Sequence, residues 1–254
     1  MVIAVMLIMG ITAFMGCEKA IDKTIASDIT ANTTNMQMRT NVPYYEKLSE
    51  SAIDSIGILH NEFVIEIFSH IDLNNLNSES KEVIFKEAVM NSNLRGSEEA
   101  WKTNIFDFTL NNESFIVPEI VELYLDSINY LIYNEEEYAS YVDKLNGVKQ
   151  GINSIVIDEY DAQLVKISIS IAIHSGYLWF PENKGGSGFG DDILSNNDAI
   201  ECKNVLAADV AGGLGGGIQY SVVLVLGGPF GLGAYCGAIL GSAAFGSAWA
   251  ALAG

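Results

Sequence analysis

A chain of 254 residues with 49% hydrophobic and 18% charged side chains holds enough apolar material for one or two packed domains. Its 32 acidic against 13 basic residues give a net charge of −19, which repels nucleic-acid phosphates and excludes nucleic acid as an expected partner. The charge is also unevenly spread: residues 1–16 carry none, and nothing after Asp209 carries any.

The chain starts with MVIAVMLIMGITAFMGC, an apolar run that closes on Gly16 before a polar segment. A run of that kind is an export signal rather than a spanning helix, so residues 1–16 are read as a signal peptide and the mature chain as starting at Cys17. Phe14-Met15-Gly16-Cys17 resembles the bacterial lipoprotein signal, in which a small residue precedes a cysteine that becomes lipidated. Phe14 stands where that pattern usually has leucine, and no Lys or Arg precedes the run. The resemblance implies lipidation at Cys17, membrane lipid as a partner, and a place in the bacterial cell envelope; a secreted protein is the alternative. Residues 17–42, rich in Thr, Asn, Ser and Asp, read as a flexible tether.

Residues 43–181 read as an acidic α-helical domain of about five helices. Ile53, Ile56, Phe63, Ile67 and Ile71 recur near a 3.6-residue period and predict an amphipathic helix. SESKEVIFKEAVMNS predicts a second helix, with Ser78 and Ser80 as capping candidates, and Gly96-Ser97-Glu98-Glu99 opens a short third one. Pro118 suits the first turn of the next helix, whose Ile120, Leu123, Tyr124, Ser127 and Leu131 share a face. In LVKISISIAIHSGYLWF, Ile167, Ile169, Ile171 and Ile173 alternate with small residues as in a strand. The length past Asp158 and the lack of a partner strand favour a helix there, and the choice over residues 164–174 stays open. The body's Ser-Gly-Tyr-Leu-Trp segment ahead of a Gly-rich tail resembles uncharacterised lipoproteins of Bacteroidetes-type bacteria, a resemblance that brings no activity with it.

The candidates for chemistry are few. His60, Glu66 and His70 lie on one predicted helix, but a zinc site of the H-E-x-x-H kind needs two histidines four apart, so a solvated face is expected. His174-Ser175-Gly176 lacks the G-x-S-x-G pattern of a nucleophile elbow. KGGSGFGDD lacks the order of a phosphate-binding loop and reads, within residues 182–203, as a Gly/Asn-rich linker. The acidic run YNEEEY reads as a hydrated helix start. Cys202 and Cys236 read as small apolar fillers with no disulfide between them. The expectation is a protein that is not an enzyme and holds neither cofactor nor metal.

Residues 204–254 carry the strongest pattern. The 45 uncharged residues from Val210 onward include 13 of the 24 glycines, and Gly227-Gly228-Pro229 is expected to split them into two apolar arms. Small residues recur at every fourth place: Gly212 with Gly216, Gly213 with Gly217, Gly233 with Gly237 and Gly241, and Ala234, Ala238, Ser242, Gly246, Ala250 and Gly254. Such rows let helix backbones approach closely. They resemble a glycine zipper and also the apolar, G-x-x-x-G-bearing peptides of two-component bacteriocins. The expected fold is therefore mainly α, a helical bundle followed by a Gly/Ala-rich helical hairpin. The expected function is that of an exported, membrane-associated lipoprotein whose hairpin serves membrane insertion, helix-helix assembly or self-association, with a toxin-like membrane-permeabilising protein as the alternative.

Overall fold

A computed structural model describes residues 47–73, 81–92, 117–153, 157–195, 201–219 and 221–253, with the surroundings of side chains 219–234 and 253 outside that description. Cys17, Ser78, Ser80 and the Gly96 segment lie outside the described residues. The fold is mainly helical, with eight helices and no strand among the described residues. They are α1 (Glu50–Ser69), α2 (Lys81–Asn91), α3 (Glu119–Asn134), α4 (Tyr138–Ile152), α5 (Glu159–Trp179), α6 (Phe189–Leu194), α7 (Cys202–Gln219) and α8 (Ser221–Ala253).

The spacing in the first helix predicts its inner face: Ile53, Ile56, Phe63 and Ile67 are all buried, as is Ile71 just beyond the helix end. Ser49 caps the helix by accepting from the Ala52 N–H at 3.1 Å, and Glu50 at its start bonds Lys149 of α4 and Lys166 of α5. In α3 the buried residues are Val121, Ile128, Leu131 and Ile132, whereas Leu123 is 57% exposed. The inner face is thus rotated from the expected one, because Ile, Leu and Tyr on several sides of this helix let neighbouring stripes fit the same period.

At the centre stands α5, against which α1, α3, α4, α6 and α7 all pack. Ile167, Ser168, Ile169, Ser170 and Ile171 are all buried, so the alternation that looks like a strand belongs to a stretch of helix enclosed on every side. Such a stretch has no wet face to impose a 3.6-residue period. Its buried hydroxyls find acceptors: Ser168 donates to the Leu164 carbonyl at 3.0 Å and Ser170 to that of Asp54 at 3.4 Å. Asp158 caps it through the Tyr160 N–H at 2.8 Å.

Beyond α5 the expected linker folds back. Gly185 and Gly188 take φ of 89° and 79°, Ser187 N–H donates to the Tyr177 carbonyl at 2.7 Å, and Phe189 lies 5.7 Å from Trp179, ring to ring. Residues 182–195 are therefore a packed turn and helix, made possible by two glycines in the left-handed region. The acidic run between α3 and α4 also differs from a hydrated turn: Glu135 is 8% exposed and bonded to Ser140 and Lys144, and Glu137 pairs with Lys184 at 2.9 Å.

Gly227-Gly228-Pro229 falls inside α8, which starts at Ser221, after α7 has ended at Gln219. A proline interior to a helix removes one hydrogen bond and costs about 3 kcal/mol. The buried run after it, Tyr235–Leu252, supplies packing to offset that cost.

Candidate functional site

The hairpin and the groove it occupies form the candidate site. On α7, Gly212 and Gly216 point at α8: a β-carbon at Gly212 would lie 2.4 Å from the Ser242 carbonyl oxygen, and one at Gly216 would lie 2.7 Å from that of Ala238. Gly246 of α8 returns the contact, with a position 3.1 Å from the Ala208 oxygen. Each step of four along α7 thus meets a step of four back along α8, and the two backbones touch without intervening side chains.

The neighbouring pair faces another way. A β-carbon at Gly213 would meet Ile171 at 2.4 Å, and one at Gly217 would meet Leu164 at 2.7 Å, both side chains of α5. So α7 presents two glycine faces to two different helices. Gly237 and Gly241 are buried in α8, and Gly233 lies in the same helix where side-chain surroundings are not described. From the other side Phe85 of α2 packs on Phe245 and Trp249, with ring centroids 6.2 and 5.5 Å apart. The result is a tail inside the bundle: the 18-residue stretch Tyr235–Leu252 has a mean hydropathy of 1.3, enough to cross a membrane by composition, and is 83% buried.

One charge goes in with it. Asp209, the last acidic side chain of the sequence, is fully buried one turn before Gly212 and Gly213. Its Oδ1 lies 3.0 Å from His60 Nε2 of α1, while its Oδ2 accepts from Ser175 Oγ and, at 2.9 Å, from Trp179 Nε1 of α5. His60 Nδ1 reaches Asn61 Oδ1 at 3.0 Å, and Asn61 donates to the His174 carbonyl at 2.6 Å. A buried carboxylate is stable only with such partners, and this one ties α7 to α1 and α5 at once. Burial first, then Tyr138 and the Asp209 charge, push the nearby Tyr141 phenol well above its ordinary range, and its hydroxyl donates to the Ala172 carbonyl at 3.2 Å.

Ser175, Asp209 and His60 are the residue types of a hydrolase triad in the wrong order. A nucleophilic serine needs histidine beside it and the carboxylate behind, whereas here aspartate sits between the two. All three are 0% exposed. The arrangement acts as a hub of hydrogen bonds that fixes three helices.

His60 therefore leaves the solvated face expected for it. Only Glu66 and His70 lie near solvent, 3.3 Å apart and about one third exposed. His174 is partly exposed and pairs with Asp54 at 3.0 Å. Neither Cys202 nor Cys236 is in a disulfide, and burial, with Asp191 nearby, pushes the Cys202 thiol up. Asp209 is the residue that motif searching misses, although a single carboxylate at the mouth of a 45-residue uncharged run is itself a signal that a buried partner is needed.

No protein-family model, curated protein or solved structure matches the chain.

Proposed function

We propose that the chain is a non-enzymatic lipoprotein of the bacterial cell envelope, exported by residues 1–16 and anchored through Cys17, whose glycine-row hairpin works by helix-helix assembly inside the acidic bundle. The observation that carries this reading is that both glycine faces of α7 are occupied, Gly212 and Gly216 by α8 and Gly213 and Gly217 by α5. A hairpin kept for the bilayer would hold one such face for a membrane partner. With the hairpin used as core, the acyl chains at Cys17 supply membrane attachment, and the 17–42 segment holds the acidic domain away from the surface.

The test is membrane fractionation with labelled fatty acid in a bacterial host. Cys17→Ser is expected to lose both the label and the membrane fraction, while a chain lacking residues 204–254 keeps the label but loses its helical fold. Retention of the unlabelled Cys17→Ser protein in the membrane would make the tail the anchor instead.

A second reading is favoured by the hydropathy of Tyr235–Leu252. In it the hairpin leaves the bundle and permeabilises a bilayer, in the manner of the bacteriocin-like peptides. Dye release from liposomes by the full-length chain, abolished by leucine at Gly233, Gly237 and Gly241, supports that reading. The assembly reading predicts no release from the full-length chain.

A further inference from the structure

The outer side of α1 carries an unusual stripe. Ile58, Asn61, Glu62 and Ile65, at i, i+3, i+4 and i+7, face away from the buried Ile56, Phe63 and Ile67. They line an open groove of about 510 Å³ that is completed by His174, Tyr177 and Leu178 of α5 and by Ser187, Phe189 and Asp192. Among the described residues, seven large apolar side chains are exposed; Ile58 at 45%, Ile65 at 47% and Tyr177 at 49% gather in this one groove. Apolar side chains gathered in one groove offer a docking floor that singly scattered ones do not.

The unpaired charges over this apolar floor are carboxylates. Glu62 and Asp192 both line the groove, and among the described residues neither carboxylate has an ion-pair partner, whereas Lys47 and Lys184 elsewhere pair with Glu159 and Glu137. Among the described residues no Lys or Arg lines the groove. The net charge of −19 disfavours a second copy of the chain or an anionic lipid surface as occupant.

We infer that this groove docks a partner protein through a cationic amphipathic helix, whose apolar stripe lies on Ile58, Ile65 and Tyr177 and whose Lys or Arg residues meet Glu62 and Asp192. A groove between two helices takes anchors at i, i+3, i+4 and i+7 of a third. The acidic rim steers the basic partner and sets its register.

The test is calorimetric titration of the full-length chain, at about 0.15 M salt where distant charges are screened. The probe is a synthetic helix with leucine at the four anchor positions and lysine elsewhere, against the same leucine pattern on glutamate. The lysine peptide is expected to bind and the glutamate peptide not to. Ile65→Ser, and separately Glu62→Gln with Asp192→Asn, should each weaken binding at least about tenfold, the usual effect of losing a central anchor. Glu122→Gln with Asp126→Asn removes the same charge from α3, which does not line the groove, and should leave affinity within about twofold. Circular dichroism of each variant separates lost binding from lost folding, since all these side chains are at the surface. Equal losses from the groove and α3 variants, an Ile65→Ser chain that binds normally, or no binding of the lysine peptide would each overturn the assignment.

Discussion

Along the inner side of α1, bulky side chains such as Ile53, Ile56 and Val64 are buried, and Gly57, whose β-carbon would lie 2.6 Å from the Ser170 oxygen of α5, is the exception. Where α7 meets α8, glycine and alanine dominate, and carbonyl oxygens of one helix lie against Cα atoms of the other. The first contact is stabilised by the apolar area it hides, and the second by dispersion between closely fitted backbones. The two regions therefore fail in opposite ways: the inner side of α1 is sensitive to lost volume, and the hairpin seat to added volume.

The sharpest way to break this comparison is to remove one side of it. A chain lacking residues 204–254 exposes the inner faces of α1, α2 and α5 and is expected to lose cooperative unfolding, read by calorimetry. Next in size, Asp209→Ala leaves His60, Ser175 and Trp179 buried without their shared partner and should cost about 3–5 kcal/mol in denaturant titration. Gly212→Ala drives a methyl group into the Ser242 carbonyl and should cost about 1–3 kcal/mol. Gly213→Ala should cost less than Gly212→Ala, because the atom it meets is the flexible tip of Ile171. Gly147→Ala, in α4 with open space around it, should instead stabilise by about 0.5–1 kcal/mol.

The smallest expected effect concerns pH. Burial raises the pKa of Glu50, but the hydrogen bonds and charges of Lys166 and Lys149 outweigh it and hold the carboxyl below its ordinary range. A depressed carboxyl contributes stability above the unfolded value, near pH 4.3, and loses it as pH falls through the folded value. Glu50 is 59% exposed, so screening limits the contribution to about 0.2–1 kcal/mol. Glu50→Gln should lower the midpoint of thermal unfolding at pH 7 and leave it unchanged in acid below the folded pKa.

How far the sequence speaks depends on what each helix faces. The first helix has one wet and one dry side, so its apolar spacing is enough to place Ile53, Ile56, Phe63 and Ile67. In α5 both Ile and Ser are buried, and the pattern that distinguishes helix from strand is erased. The glycine spacing in α7 predicts two close-contact rows, but spacing is silent on whether their partners are α5 and α8 or a helix in a membrane. The hub at Asp209 joins residues 149 positions apart, and only the fold brings His60 to it.

The central claim is that the hairpin is core. Amide hydrogen exchange on the full-length chain, in water without lipid or detergent, tests it most directly. The amides of Tyr235–Leu252 are expected to exchange as slowly as those of Leu164–Ala172 in α5, through the same global opening. Fast exchange in Tyr235–Leu252 while α5 stays protected would contradict the account and return the hairpin to a role outside the bundle.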